Sequence, residues 1–324
     1  MPKFLLLRFS SIGDIVLTTP VIRCIKQQVP NAEVHFLTKR PFGTVLKNNP
    51  YIDKLLLFDT STAEIRDMLK AEGYDAIIDL HHNRRTFFLK QSLRRPHFSF
   101  RKLNIEKWLR VNIRIDRLPS LHIVDRYMAT VSSFGVTNDG NGLDHFITNN
   151  DRQIIHQLPI SHTGEFVAIV IGAQHATKRL PLDKLVNVCQ LIKQPIVLIG
   201  GKEDYQTGEL IQRAIGDKVI NWCGRCSINE SAAVLEKAER VITHDTGMMH
   251  IAAALKRPIV SVWGNTIPKF GMTPYYGNVK IPNRIVEVNG LSCRPCSKIG
   301  FDTCPKGHFN CMHQQDATAI AAEV

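Results

Sequence analysis

Short apolar runs recur along the chain, separated by segments whose apolar residues fall at helical spacing, and the whole pattern starts again midway. Residues 4–8, 33–37, 54–58 and 75–79 are rich in Leu, Ile, Val and Phe without polar alternation. Parallel strands buried on both faces read this way. Residues 15–28 and 63–72, between them, carry helical spacing, and a polar stretch at 149–164 reads as a linker. Beyond it, strands are expected at 166–171, 196–200, 218–221, 240–243 and 259–263, and helices at 183–193, 207–215, 229–237 and 246–256. The last helix is well punctuated: Asp245 or Thr246 can cap its start, Lys256 and Arg257 suit its negative end, and Pro258 forbids continuation. The alternation predicts an α/β chain of two doubly wound parallel-sheet domains, 1–155 and 156–324, facing a central cleft. Ligands sit at the carboxyl ends of such strands.

A length of 324 residues suits two domains better than one core. No apolar stretch approaches the roughly 20 residues needed to cross a bilayer. The first seven residues hold one lysine and an apolar run too short for a secretory signal, so a cytoplasmic protein is expected. Lys and Arg outnumber Asp and Glu, 41 against 29, so the surface attracts something anionic: nucleic acid, a phosphorylated ligand or a membrane face. The eight cysteines of a cytosolic chain are thiols or metal ligands rather than disulfides.

Three loops at expected strand ends carry chemistry. In "THDTGMMHIAAALKRP", 243–258, a strand gives way to a helix at Thr246, with Gly247 in the first turn and His250 one turn further on the same face. Open amides, a hydroxyl and a glycine there suit a phosphate, although a plain capped helix has the same pattern. "GAQHATKRLP", 172–181, brings Lys178 and Arg179 to the same end of the sheet, as phosphate partners or as a solvated basic loop. "GGKED", 200–204, offers Glu203 or Asp204 to ribose hydroxyls. Neither G-x-G-x-x-G nor a Walker lysine pattern occurs, which weakens an NAD or ATPase reading.

In the first half, "SSIGDIVLTTP" places Asp14 in a glycine-containing turn at a helix start. It can cap that helix, but Ser10 and Ser11 are there to do so. Residues 83–117 hold eleven Lys or Arg against Glu106 and Asp116, with Phe87, Phe88, Phe98, Phe100 and Trp108 interleaved. That composition fits a nucleic-acid surface, a site for an anionic amphiphile, or a basic face over a buried aromatic side. Cys293, Cys296, Cys304 and Cys311 lie within nineteen residues, close enough in sequence for a structural zinc, though the second half lacks a short C-x2-C partner; unligated thiols in a tight loop, or disulfides formed after purification, are the alternatives.

In this order and spacing, "SSIGDIVLTTP", "DLHHN", "HIVDRY", "GAQHATKRLP", "HDTGMMHIAAAL" and the cysteine-bearing tail resemble glycosyltransferase family 9, the heptosyltransferases of the lipopolysaccharide inner core. The resemblance implies a GT-B fold of two Rossmann-like domains, acceptor on the first, nucleotide sugar on the second, with a final helix packing back on the first. It implies inverting transfer with no cofactor needed for catalysis, ADP-heptose as donor, and a lipid A/core oligosaccharide acceptor at an anionic membrane surface rather than nucleic acid. Asp14 matches the catalytic base and Lys178 the lysine that meets the donor phosphates. Thr246 and Gly247 match the helix start receiving the diphosphate, Asp245 the contact to donor-sugar hydroxyls, and Glu203 the ribose contact, with His250 and Arg179 in support. Ser11, Gly13, Arg84, Arg85, Arg94, Arg95 and Lys102 are the expected acceptor contacts. Leu180 stands where the family usually has tryptophan. The alternatives are a GT-B enzyme using another nucleotide sugar, a nucleotide-sugar epimerase, and a nucleic-acid-binding protein.

Overall fold

The computed structural model describes residues 1–322. The chain forms two compact units: Met1–Lys102 with Leu121–Phe146 and Tyr276–Val279, and Leu103–Ser120 with Ile147–Tyr275 and the chain from Lys280 on. The main division thus falls between Phe146 and Ile147 rather than at 155, and an 18-residue excursion from the first half belongs to the second unit. Two sets of contacts explain this. The short helix Asn149–Arg152 packs on Ile228–Lys237, with Arg152 forked onto Glu236 at 2.7 and 2.8 Å. The excursion carries Lys107 over the Phe270 ring and Arg114 onto the carbonyls of Pro295 and Cys293.

The first sheet has five parallel strands: β1 (Lys3–Leu7), β2 (Glu33–Lys39), β3 (Lys54–Phe58), β4 (Ala76–Asp79) and β5 (His97–Ser99), in the order β3-β2-β1-β4-β5. The second has six: β6 (Val167–Val170), β7 (Ile196–Ile199), β8 (Val219–Asn221), β9 (Arg240–His244), β10 (Ile259–Trp263) and β11 (Asn283–Glu287). Their order, β11-β10-β9-β6-β7-β8, is also parallel throughout. Strand order reverses between β1 and β4 in one sheet and between β6 and β9 in the other, and such switch points open a crevice at the strands' carboxyl ends. The edge strands β5 and β11 were not expected. Both are short and polar-flanked, with solvent on one side, so neither needs a continuous apolar run.

The helix expected over 15–28 is two helices, Ile12–Val16 and Thr19–Gln28. Pro20 lies in the first turn of the second, where its missing N–H costs nothing, and it cannot continue the first. Thr18 and Thr19 donate their hydroxyls to the carbonyls of Ile15 and Val16 at 2.6 and 2.7 Å, covering acceptors freed by the break. The helix Ala317–Ala321 packs on Leu182–Leu191 with Ile320 fully buried.

Candidate active site

In the first unit the site grows from the end of β1. Arg8, the first charged residue after the buried run, turns inward and is 8% exposed. Its guanidinium donates to the carbonyls of Ser10 and Leu80, both at 2.7 Å, and to the Tyr127 hydroxyl at 3.2 Å. It also pairs with Asp14 Oδ2 at 2.7 Å. Ser11 is the N-cap residue but makes no side-chain cap bond; its hydroxyl donates to Asp14 Oδ2 at 2.9 Å, and its N–H points at the same oxygen at 3.4 Å. The capping expected of the serines is therefore reversed, because an ionised carboxylate is the stronger acceptor. Burial pushes the Asp14 carboxyl up, but the Arg8 charge and the Ser11 hydrogen bonds outweigh it and leave the group below its ordinary range. Asp14 is thus ionised at neutral pH and partly open to solvent, with Gly13 buried beneath it.

The turn after β4 completes this end. Asp79, fully buried, accepts the N–H groups of His81 and His82 at 3.1 and 2.7 Å and lies 2.8 Å from the Lys90 ammonium. Burial, then the charges of Arg8 and Lys102, hold His81 down to about 4, so this imidazole is neutral. Arg84 and Arg85 begin the next helix at the same end of the sheet and are exposed. Arg94 and Arg95 close that helix and lead into the start of β5, which in a parallel sheet is the end away from Asp14. The structure separates these two arginines from the other expected acceptor contacts. Phe98 and Phe100 also leave the expected aromatic surface, packing edge-on against Phe134 and Tyr127.

In the second unit, Lys178 follows β6 and Asp245 follows β9, so the switch point brings them together. Lys178 Nζ lies 2.6 Å from Asp245 Oδ2 and donates to the Asp245 carbonyl at 3.2 Å. The Thr266 hydroxyl, from the loop after β10, donates to the same Oδ2 at 2.8 Å. Thr246 is the N-cap residue of the helix Gly247–Ala254, and its side chain leaves the first-turn amides uncapped. His250 is buried in the second turn. Burial holds His244 down to about 4, and its neutral Nε2 accepts the Leu180 N–H at 3.0 Å, fixing the loop that carries Lys178. Leu180 itself joins the apolar core.

Glu203 is exposed, whereas Asp204 is buried, accepts the Gly201 N–H at 2.9 Å and pairs with Arg179 at 3.4 Å. Asp204 therefore braces the loop, and Glu203 stands exposed beside it. Arg179 also donates to the Ala173 carbonyl at 2.7 Å. The four tail cysteines are free thiols. Burial pushes Cys311 up to about 12, with smaller contributions from neighbouring sulfurs. Among the described residues, the set whose ligand atoms lie within 4.8 Å of one another is Glu33, His35 and Glu72 at the opposite end of the first sheet, where Lys3 already pairs with both acids. Among the described residues the tail sulfurs form no such set, although Cys293, Cys296 and Cys304 all lie near enough to act on the Cys311 thiol.

Sequence reasoning missed Arg8, Tyr127, Thr266 and Arg294. Arg8 carried a signal, a cation ending a wholly buried strand six residues before an acid; the other three meet the site only through tertiary folding.

Two parallel-sheet α/β units, each with charged groups at its switch point, have the architecture of a GT-B glycosyltransferase. The family model described as glycosyltransferase family 9 (heptosyltransferase) matches residues 62–300, and the chain belongs to that family. It is 26% identical over 301 residues to lipopolysaccharide heptosyltransferase 1 of Campylobacter coli, covering 85% of this chain and 86% of that protein. It is 24% identical over 316 residues to lipooligosaccharide heptosyltransferase 2 of Haemophilus influenzae, covering 90% and 91%. Among solved structures, a family 9 glycosyltransferase from Veillonella parvula superposes with a TM-score of 0.78 at 23% identity, over 99% of this chain and 96% of that one. Escherichia coli heptosyltransferase WaaC with ADP gives 0.71 at 19% identity, over 99% and 98%. The chain is a glycosyltransferase.

Proposed function

We propose that this enzyme transfers a heptose from ADP-heptose to a lipopolysaccharide inner-core acceptor with inversion, without a catalytic metal. The observation that carries the reading is the group at the second switch point: one lysine, one acid and an uncovered helix N-terminus. Lys178 and the amides beginning at Gly247 are suited to a diphosphate, and they would stabilise the charge that develops on the departing nucleoside diphosphate. Asp245, freed from Lys178 when phosphate takes its place, would accept hydroxyls of the donor sugar, and Glu203 those of the ribose. Solved structures of the related WaaC hold ADP and ADP-2-deoxy-2-fluoro heptose, which supports an adenine nucleotide here.

On the acceptor side, Asp14 is already ionised and Arg8 fixes its direction. It would take the proton from the attacking hydroxyl while that oxygen bonds to the anomeric carbon and the phosphate oxygen leaves. Ser11, Gly13, Arg84, Arg85 and Lys102 would surround an anionic acceptor. No described helix is long and apolar enough to cross a membrane. Exposed Phe87 and Phe88 lie beside Arg84 and Arg85, and Ile105 and Trp108 stand exposed on a basic helix. Both suit the surface of an anionic bilayer at the cytoplasmic face.

Isothermal titration with ADP-, UDP- and GDP-sugars tests the donor assignment. The adenine donor should bind tightest, and Lys178→Met should weaken it by about 10- to 100-fold, as loss of a charge-assisted contact of roughly 1.5–3 kcal/mol requires. Equal binding by the variant would remove Lys178 from the phosphate site.

A further inference from the structure

The tail segment around Arg294 reaches the donor end of the second sheet from two sides. Arg294 is 8% exposed and spends its donors on the loop that follows β10. Its Nε donates to the Gly264 carbonyl at 2.5 Å, and Nη2 donates to the Thr266 carbonyl at 2.9 Å and toward that of Trp263 at 3.5 Å. Nη1 donates to the Val288 carbonyl at 2.6 Å, and Nη2 pairs with Glu287 at 2.8 Å, tying the same loop to β11. Seven residues further on, Phe301 N donates to the Thr177 hydroxyl at 2.8 Å, and Thr177 N donates to the Phe301 carbonyl at 3.1 Å. Thr177 precedes Lys178, and Thr266 bonds Asp245. One tail segment therefore grips the neighbour of each partner in the Lys178–Asp245 pair.

We infer that Arg294 is a positioning residue for the donor site, setting Asp245 through the Thr266 loop. The inference rests on the donor reading above for its functional consequence. A guanidinium is suited to the task because its planar fork presents five donors at fixed angles, and here it meets the loop carbonyls of Gly264 and Thr266 and reaches toward that of Trp263 at the end of β10. Lysine keeps the charge for Glu287 but offers no such fork. With Arg294 in place, the Thr266 hydroxyl is delivered to Asp245 Oδ2 and competes with Lys178 for that oxygen. The carboxylate then stays put when Lys178 turns to phosphate. Without Arg294 the loop carbonyls lose their partners, the hydroxyl drifts, and Asp245 follows the ammonium.

The test uses the full-length enzyme carrying Arg294→Lys, Thr266→Val or both, with Thr266→Ser as the conservative rescue. Hydrogen exchange without ligand reads positioning directly: amides of residues 263–267 should exchange about tenfold faster in Arg294→Lys, with those of β1–β4 unchanged. Steady-state kinetics read the consequence. Donor KM should rise about tenfold in Arg294→Lys and in Thr266→Val, with kcat and acceptor KM changing less than threefold. The double variant should be no worse than the poorer single, since both act on one contact, and Thr266→Ser should behave as wild type. Unchanged exchange at 263–267, a donor KM within twofold of wild type, or an additive double variant overturns the inference. Should Arg294→Lys not fold, Thr266→Val against Thr266→Ser decides. Failure of the wild type to bind any nucleoside diphosphate sugar defeats the donor reading instead, and exchange then decides the positioning role alone.

Discussion

Replacing Asp14 by Asn separates the proposed base from its structural duties. Asn keeps an oxygen for Arg8 and Ser11 and nearly the same shape, so what disappears is the charge. In the wild type that charge receives the guanidinium at 2.7 Å and the Ser11 hydroxyl at 2.9 Å. Turning the ion pair into a contact in which only the guanidinium is charged, and the Ser11 contact into a neutral one, costs about 1 kcal/mol each, or about 2 kcal/mol together. Arg8 retains the carbonyls of Ser10 and Leu80 and the Tyr127 hydroxyl, so it is not stranded, and the loss stays below the roughly 3–5 kcal/mol of a broken buried pair. The variant should fold and melt several degrees lower. Its kcat should fall by about 10²–10⁴, the usual worth of a general base, or roughly 3–5 kcal/mol in the barrier. Donor affinity should stay within twofold, because Lys178, Asp245 and Gly247 belong to the other unit. Stopped-time assays of heptosyl transfer with titration of the donor measure both. A folded Asp14→Asn enzyme retaining more than a tenth of wild-type kcat would refute the base assignment, and an equal loss in donor affinity would make Asp14 a binding residue.

The pH profile carries the same chemistry. The folded pKa of Asp14 is lowered, so its stabilising contribution is complete above the unfolded value of about 3.9 and is lost as pH falls through the lower folded value. The acid limb of kcat/KM should accordingly lie below the ordinary carboxylate range, and Arg8→Gln should move it upward because burial is then opposed only by the Ser11 hydrogen bonds; an unmoved limb contradicts the pairing. Gly277→Ala should destabilise by at least about 2 kcal/mol in denaturant melts, since φ is +65° and a Cβ would stand 2.0 Å from the Gly140 carbonyl oxygen. Gly290→Ala, with φ +78° and nothing within 4 Å, should cost only about 1–2 kcal/mol of backbone strain. Anionic vesicles should bind the protein and release it at high salt, with Phe88→Ser and Trp108→Ser each weakening binding severalfold; binding unaffected by either change removes the membrane surface from these helices.

The β/α alternation was legible because buried parallel strands leave continuous apolar runs, and the loops carrying Asp14, Lys178 and Asp245 follow directly from where those runs end. What stayed hidden has a different physical origin. β5 and β11 lie at sheet edges and owe their pairing to a neighbour, so His97–Ser99 reads as part of a basic segment. That segment spans both units and contributes Phe98 and Phe100 to packing, which charge counting treats as surface. The role of Ser11 was inverted because cap rules treat serine as an acceptor, whereas a nearby ionised carboxylate makes it a donor. Arg294 lies between Cys293 and Cys296, whose sulfurs carry the recognisable spacing of that stretch. Its contacts reach back some thirty residues to Gly264 and Thr266, which no local spacing records.

The most direct test of the central claim is the product itself. The purified enzyme is given ADP-heptose and a lipopolysaccharide inner-core acceptor in excess EDTA, and the product is characterised by mass spectrometry and by the anomeric coupling in its NMR spectrum. The account predicts one heptosyl unit added, with inverted anomeric configuration, and undiminished turnover under chelation. Retained configuration, dependence on an added divalent cation, or consumption of the nucleotide sugar without transfer would contradict it.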